Sequence, residues 1–140
     1  TTDNSTYSTG TFIQWTSDWV AAPYNDDLWG YNWWSWTDVE KKWPCVWDYH
    51  VPSYTEWTSL YAAWWWVENW ANMSNDLKLP LAGYRKWDDG VLGYHWVYGA
   101  YWYSSPIGAL AYNMFFGPSV ILEDNPGNRS YGFSVRCFKN

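Results

Sequence analysis

Basic charge is scarce in this chain. Lys and Arg together number 8 against 14 Asp and Glu, for a formal net charge of −6. No Lys/Arg cluster occurs, so the basic stripe that nucleic acid requires is missing, and so is the polybasic patch that an anionic membrane surface attracts. Long apolar runs are missing too. The longest, residues 60–67, falls far short of the roughly 20 residues that cross a bilayer, so direct membrane insertion is not expected. Histidine occurs twice and cysteine twice. No Ser elbow, P-loop or zinc-ligand spacing is present. No signal peptide is visible and the chain starts at Thr1, which reads as a processed or trimmed fragment.

Aromatic rings are abundant instead. The 140 residues include 16 Trp and 13 Tyr, while charged residues are only 16 %. The length suits one domain with one sizeable core. One core cannot hold that many indoles, so several aromatics are expected at the surface. There each offers large apolar area, a polar tip and few rotors, which suits binding.

The even cysteine count in a Ser/Thr/Asn/Tyr-rich chain points to a disulfide and an oxidising compartment, with two buried thiols as the alternative. A Cys45–Cys137 bond would close a long loop, worth roughly 4 to 5 kcal/mol by loop-entropy reasoning.

Local patterns give the elements. Residues 1–12 are polar and aperiodic, a linker or loosely held first strand, and residues 13–140 are read as a single domain. Residues 13–47 are loop-rich and Trp-rich, with one short helix expected at 38–42. Ser53 followed three residues later by Glu56 forms a capping box. Trp57, Leu60, Tyr61 and Trp64 then recur at helical spacing, which predicts an amphipathic helix over 54–67 with those four side chains inward. A second short helix is predicted at 69–77. Beyond it the chain reads as strands, at 99–104, 111–116 and 131–138. Asp88-Asp89-Gly90 and Asn125-Pro126-Gly127-Asn128 are turn signals. Helices first and short antiparallel strands after them give an α+β fold class.

Four segments, in order, resemble the Fibrobacter succinogenes major paralogous domain: Cys45 with Tyr49-His50-Val51-Pro52-Ser53 and Glu56-Trp57; Leu81-Ala82-Gly83-Tyr84-Arg85; Tyr101-Trp102-Tyr103-Ser104-Ser105; and Tyr131-Gly132-Phe133-Ser134-Val135-Arg136-Cys137. The resemblance covers residues 43–140. It implies a C-type-lectin-like fold, of the superfamily that includes formylglycine-generating enzymes, with Cys45 and Cys137 at the positions of the structural pair. It also implies display outside the cell or on its surface. Val46 and Trp47 depart from the small or polar residues usual after the first cysteine, and Tyr103 replaces a serine.

Such domains occur among the variable proteins of diversity-generating retroelements, whose mutagenesis targets adenines. An Asn codon AAY can then become many residues but not Trp, Met, Lys, Glu or Gln. Tyr94, His95, Val97, Tyr98, Ala100, Tyr103, Ile107, Leu110, Phe115 and Ile121 are all reachable from AAY, whereas Trp96, Met114 and Glu123 are not. The resemblance therefore implies a diversified ligand-binding face made of those ten residues, gathered mostly on one solvent-facing patch. Its partner would be a protein or other surface ligand. The alternative is a fixed cell-surface module that stacks glycans on its aromatics or assembles with itself.

An enzyme is not expected. The enzyme relatives use paired reactive cysteines, and the only two here occupy structural positions. His50 reads as a structural hydrogen-bonder and His95 as a contact residue. No cofactor is implied. A structural calcium at Asp26/Asp27 or Glu123/Asp124 is the one metal reading left open.

Overall fold

A computed structural model describes residues 31–32, 37–38, 44–63 and 70–140. Expectations for residues 1–30, for the helix at 38–42 beyond Asp38, for Trp64 and for the Asp26/Asp27 pair lie outside the described residues. The elements run β1 (Tyr31–Asn32), β2 (Thr37–Asp38), β3 (Tyr49–His50), α1 (Tyr54–Ala63), α2 (Trp70–Asn75), β4 (Tyr84–Arg85), β5 (Leu92–Gly93), β6 (Gly99–Ile107), β7 (Leu110–Gly117), β8 (Val120–Asn128) and β9 (Phe138–Lys139). Two helices with small antiparallel sheets make a mixed α+β architecture. Among the described residues no helix is long and apolar enough to cross a membrane.

The capping box starts α1. Glu56 accepts from the Ser53 backbone N–H and hydroxyl, both at 2.9 Å, and the Glu56 N–H returns a bond to Ser53 Oγ at 3.3 Å. The same carboxylate meets His50 Nε2 at 2.7 Å, and His50 Nδ1 meets Asn140 Oδ1 at 2.7 Å. His50 is thus a structural hydrogen-bonder that ties β3 to the helix start. Burial raises the Glu56 carboxyl, but the Ser53 and His50 hydrogen bonds outweigh it and hold the group below its ordinary value. Trp57 is fully buried, with Leu60 and Tyr61 packed against the core beside it.

β6, β7 and β8 form a three-stranded meander in that order. Its register pairs Tyr101 with Met114 and Phe116 with Ile121 on one face, and Ala100 with Phe115 and Phe115 with Leu122 on the other. The first face carries the core. Trp57 stacks on Tyr103 at 5.5 Å, and Met73, Leu79, Tyr101, Met114 and Phe116 complete the cluster. The helix is stitched to β6 where the Tyr54 N–H donates to Ser105 Oγ at 2.9 Å and the Ser104 N–H to the Pro52 carbonyl at 2.8 Å. Cys45 and Cys137 are disulfide-bonded across 92 residues of chain.

Two local expectations are corrected. The segment from Asn125 to Asn128 is the end of β8 rather than a turn, with Pro126 opposite Tyr112. β8 is an edge strand of the meander, where a residue without an N–H interrupts no ladder on the outer side. The predicted strand at 131–138 is mostly irregular. It contributes single bridges from Gly132 to Arg85 and from Ser134 to Tyr101, and only Phe138–Lys139 is a strand. By contrast, Asp88-Asp89-Gly90 is the turn the sequence signals: Asp89 Oδ1 accepts the Val91 N–H at 2.8 Å, and Gly90 takes φ 67°.

Candidate ligand-binding face

The side of the meander away from α1 is an aromatic face. Tyr98 and Phe115 sit with ring centroids 5.0 Å apart, and Tyr94 lies 5.5 Å from Tyr98. Tyr84 joins them as the hub, 5.4 Å from Tyr94, 5.7 Å from Tyr131 and 5.5 Å from Phe133. Trp102, buried, closes the layer at 4.4 Å from Phe133. Glycine admits one of these rings to the sheet: a Cβ on Gly117 would stand 2.3 Å from the Tyr98 ring.

The rim of this layer is the 94–98 loop. Tyr94 and Trp96 both have positive φ, 59° and 66°, a conformation that bulky side chains adopt only under constraint. The constraint is visible. The Trp96 N–H donates to the Leu81 carbonyl at 2.7 Å and the Gly83 N–H to the Tyr98 carbonyl at 2.8 Å. Gly83, itself at φ 70°, lets the loop approach, because a Cβ there would meet the Gly93 carbonyl at 2.3 Å and the His95 amide at 2.6 Å. The loop presents Trp96 82 % exposed and Tyr94 47 % exposed, with Val97 also open to solvent, as are Val91 and Leu92 at β5 beside it.

The polar part of the face is phenolic. Burial raises the Tyr84 hydroxyl, and the neighbouring Tyr94, Tyr131 and Tyr98 raise it further. Burial and then Asp88 raise Tyr131, against a hydrogen bond with Trp87 and the charge of Lys86. Both remain neutral donors at physiological pH. The Lys86 ammonium lies 5.9 Å from the Tyr94 ring centroid, within cation–π range.

The ten residues expected on one patch separate into groups. Tyr94, His95, Val97, Tyr98 and Phe115 are in or beside the aromatic layer, the first three exposed. Ala100 is on the same side of the sheet but buried, at 1 % exposure. Tyr103 is fully buried against Trp57, with its hydroxyl donating to the Glu123 carbonyl, and Ile121 packs on the same core. Ile107 and Leu110 pair with each other at the far hairpin, roughly 17–20 Å along the strands from Phe115. The single-patch expectation is therefore corrected for Ala100, Tyr103, Ile107, Leu110 and Ile121. Strand side chains alternate between faces, so a continuous stretch of strand cannot line one surface.

Tyr84, Tyr131, Phe133 and Trp96 belong to the face and were not expected there. Tyr131 and Phe133 stand two apart, a same-side spacing that could have marked them. Glu123 and Asp124, the calcium candidates among the described residues, sit within β8. Among the described residues no three His, Cys, Asp or Glu side chains converge on a point that would hold a metal ion. No family model matches this chain, and neither a curated protein nor a solved structure resembles it significantly.

Proposed function

We propose that this chain is a ligand-binding domain of the C-type-lectin-like kind, displayed outside the cell, and that it is a retroelement-diversified variable protein. The observation that carries the reading is the half-exposed aromatic layer with its strained, hydrogen-bonded rim at Tyr94 and Trp96. Backbone strain of this kind costs about 1–3 kcal/mol per residue and accumulates at functional positions. Rigid rings supply contact area at low ordering cost, so the face suits a protein or other macromolecular surface. The disulfide suits an oxidising location. Catalysis is no part of this reading: both cysteines are locked in that bond, and His50 is engaged at both ring nitrogens.

Trp96 favours a second reading, a fixed module that stacks glycans on its open indole. The locus separates the two. A near-identical repeat differing only at adenines, beside a reverse transcriptase gene, is expected under the first. Absence of any such repeat, together with glycan-array binding lost on Trp96→Ala, would put the fixed module in its place.

A further inference from the structure

His50 joins three separate parts of the chain. It is buried on β3, and its two ring nitrogens meet oxygens from different elements. Nε2 lies 2.7 Å from Glu56 Oε1 in the first turn of α1, and Nδ1 lies 2.7 Å from Asn140 Oδ1, just past β9. Both oxygens are acceptors. A neutral imidazole carries one N–H and can answer only one of them, whereas the imidazolium carries two and answers both. The surrounding charges agree with a cation or stand aside. Glu56 already accepts from the Ser53 N–H and hydroxyl, as an ionised carboxylate does. Asp48, exposed in the turn before β3, adds a second negative charge. Lys139 pairs with Tyr49, one step along from the His50–Phe138 pair, so it lies on the other face of the β3–β9 ribbon.

We propose that His50 is an imidazolium in the folded protein, and that its charge is the latch that holds the C-terminal strand to the start of α1. β9 is short enough to need one, since it is two residues long and pairs with the two residues of β3. The latch also bears on the core, because the Phe138 ring of β9 lies 5.0 Å from Trp57. It has a pH window. The fold favours charged His50, so that contribution is complete below the unfolded imidazole's value of about 6.5 and is lost as pH rises through the folded one. Burial raises the Glu56 carboxyl, but the Ser53 and His50 hydrogen bonds hold it below its ordinary value of 4.5. Its contribution is therefore complete above that value and is lost as pH falls through the lowered one. The latch is closed at mildly acidic and neutral pH and opens towards either extreme.

The test is long-range proton–nitrogen correlation spectroscopy of the full chain from about pH 5 to about pH 10, with His95→Gln identifying the remaining imidazole. Near neutral pH both nitrogens of His50 should show the shift of a protonated ring nitrogen. Asn140→Leu removes one acceptor from an exposed position, and should move the loss of the His50 proton to lower pH. The Asn140 N–H donates to the Asp48 carbonyl at 2.9 Å. Its hydrogen-exchange protection, corrected for intrinsic rate, should fall at least about tenfold as His50 loses its proton. That of the Trp96 N–H, bonded to Leu81 on the rim loop, should stay constant. A neutral ring near pH 7, with the Asn140 amide turned so that its NH2 donates to Nδ1, would overturn the proposal. So would a His50 titration unchanged in Asn140→Leu, or Asn140 protection that does not follow it. None of these outcomes bears on the aromatic face.

Discussion

On the helix side of the β6–β7–β8 sheet, Tyr101, Tyr103, Met114 and Phe116 are shut away from water. On the other side Tyr84, Tyr98, Phe115, Tyr131 and Phe133 keep part of their surface wet, and Tyr94 nearly half of it. Both sides are aromatic, so ring content does not separate core from surface here. The supports differ. In the core Tyr103 stacks on Trp57 and Tyr101 on Phe116, with Tyr101 donating to the Pro80 carbonyl at 2.8 Å and Tyr103 to that of Glu123. The outer rings rest on one another and on a loop held in left-handed conformations. The inner side is where removal of a group should cost stability; the outer side is where it should cost binding.

The largest expected effect is at the bond that closes the domain. Reduction, or Cys45→Ala with Cys137→Ala, should lower unfolding free energy by roughly 4–5 kcal/mol in a denaturant titration. Titration of the unfolded, unreduced protein should find no free thiol. Trp57→Ala on the inner side should cost about 3–5 kcal/mol. A loss under about 1 kcal/mol would mean that the inner stack is not what the structure describes.

Gly83→Ala should cost roughly 2–4 kcal/mol, because the added Cβ meets backbone that cannot step aside and the left-handed φ is disfavoured for Ala. Its value to the comparison is positional: the perturbation starts at the rim, so it should disturb the Tyr94–Trp96 loop before the Trp57 stack. Fluorine labels on the tryptophans would show the order.

Alkali probes the inner side by another route. Burial pushes the Tyr101 hydroxyl up to about 12, against a smaller pull from Arg136, and burial raises Tyr103 as well. Unfolded tyrosines ionise near pH 10. The stability these two contribute is therefore complete below about pH 10 and drains away as pH rises towards 12. For Tyr101 the loss is about 2–3 kcal/mol. Tyrosinate absorbance should show the last two phenols ionising together with loss of the near-ultraviolet dichroism. Ionisation of all tyrosines without loss of that signal would contradict their burial.

The smallest effect is expected at Trp96. It is exposed and strained, so Trp96→Asn should leave stability within about 0.5 kcal/mol or raise it slightly. A large loss would place Trp96 in the packed frame.

Legibility in the sequence followed the range of the interactions. The Ser53–Glu56 box, the start of α1 and the Asp88–Gly90 turn are written in neighbouring residues and were readable. The strands were readable as apolar stretches, but their facing was not. One residue of slip exchanges the faces, and the register of β6 on β7 is set by pairings such as Ala100 with Phe115 that no local pattern states. That is why Tyr103, taken for a contact residue, could lie in the core, and Ile121 half-buried against it. Pro126 and Gly127 misled because a turn signal and an edge strand tolerate the same residues. Trp96 was set aside by codon reasoning, yet its loop is formed by long-range bonds to Leu81 and Gly83 that only the fold reveals.

The proposed division between an inner side that folds the domain and an outer side that binds can be tested at the gene. The measurement is a codon-by-codon comparison of the gene with its template repeat, and with other copies from the same source. The account predicts that differences fall at template adenines and are dense at codons 94, 95, 97, 98 and 115, while those for Tyr101, Met114 and Phe116 stay constant. Differences spread evenly over the two sides of the sheet, or no template repeat at all, would contradict it.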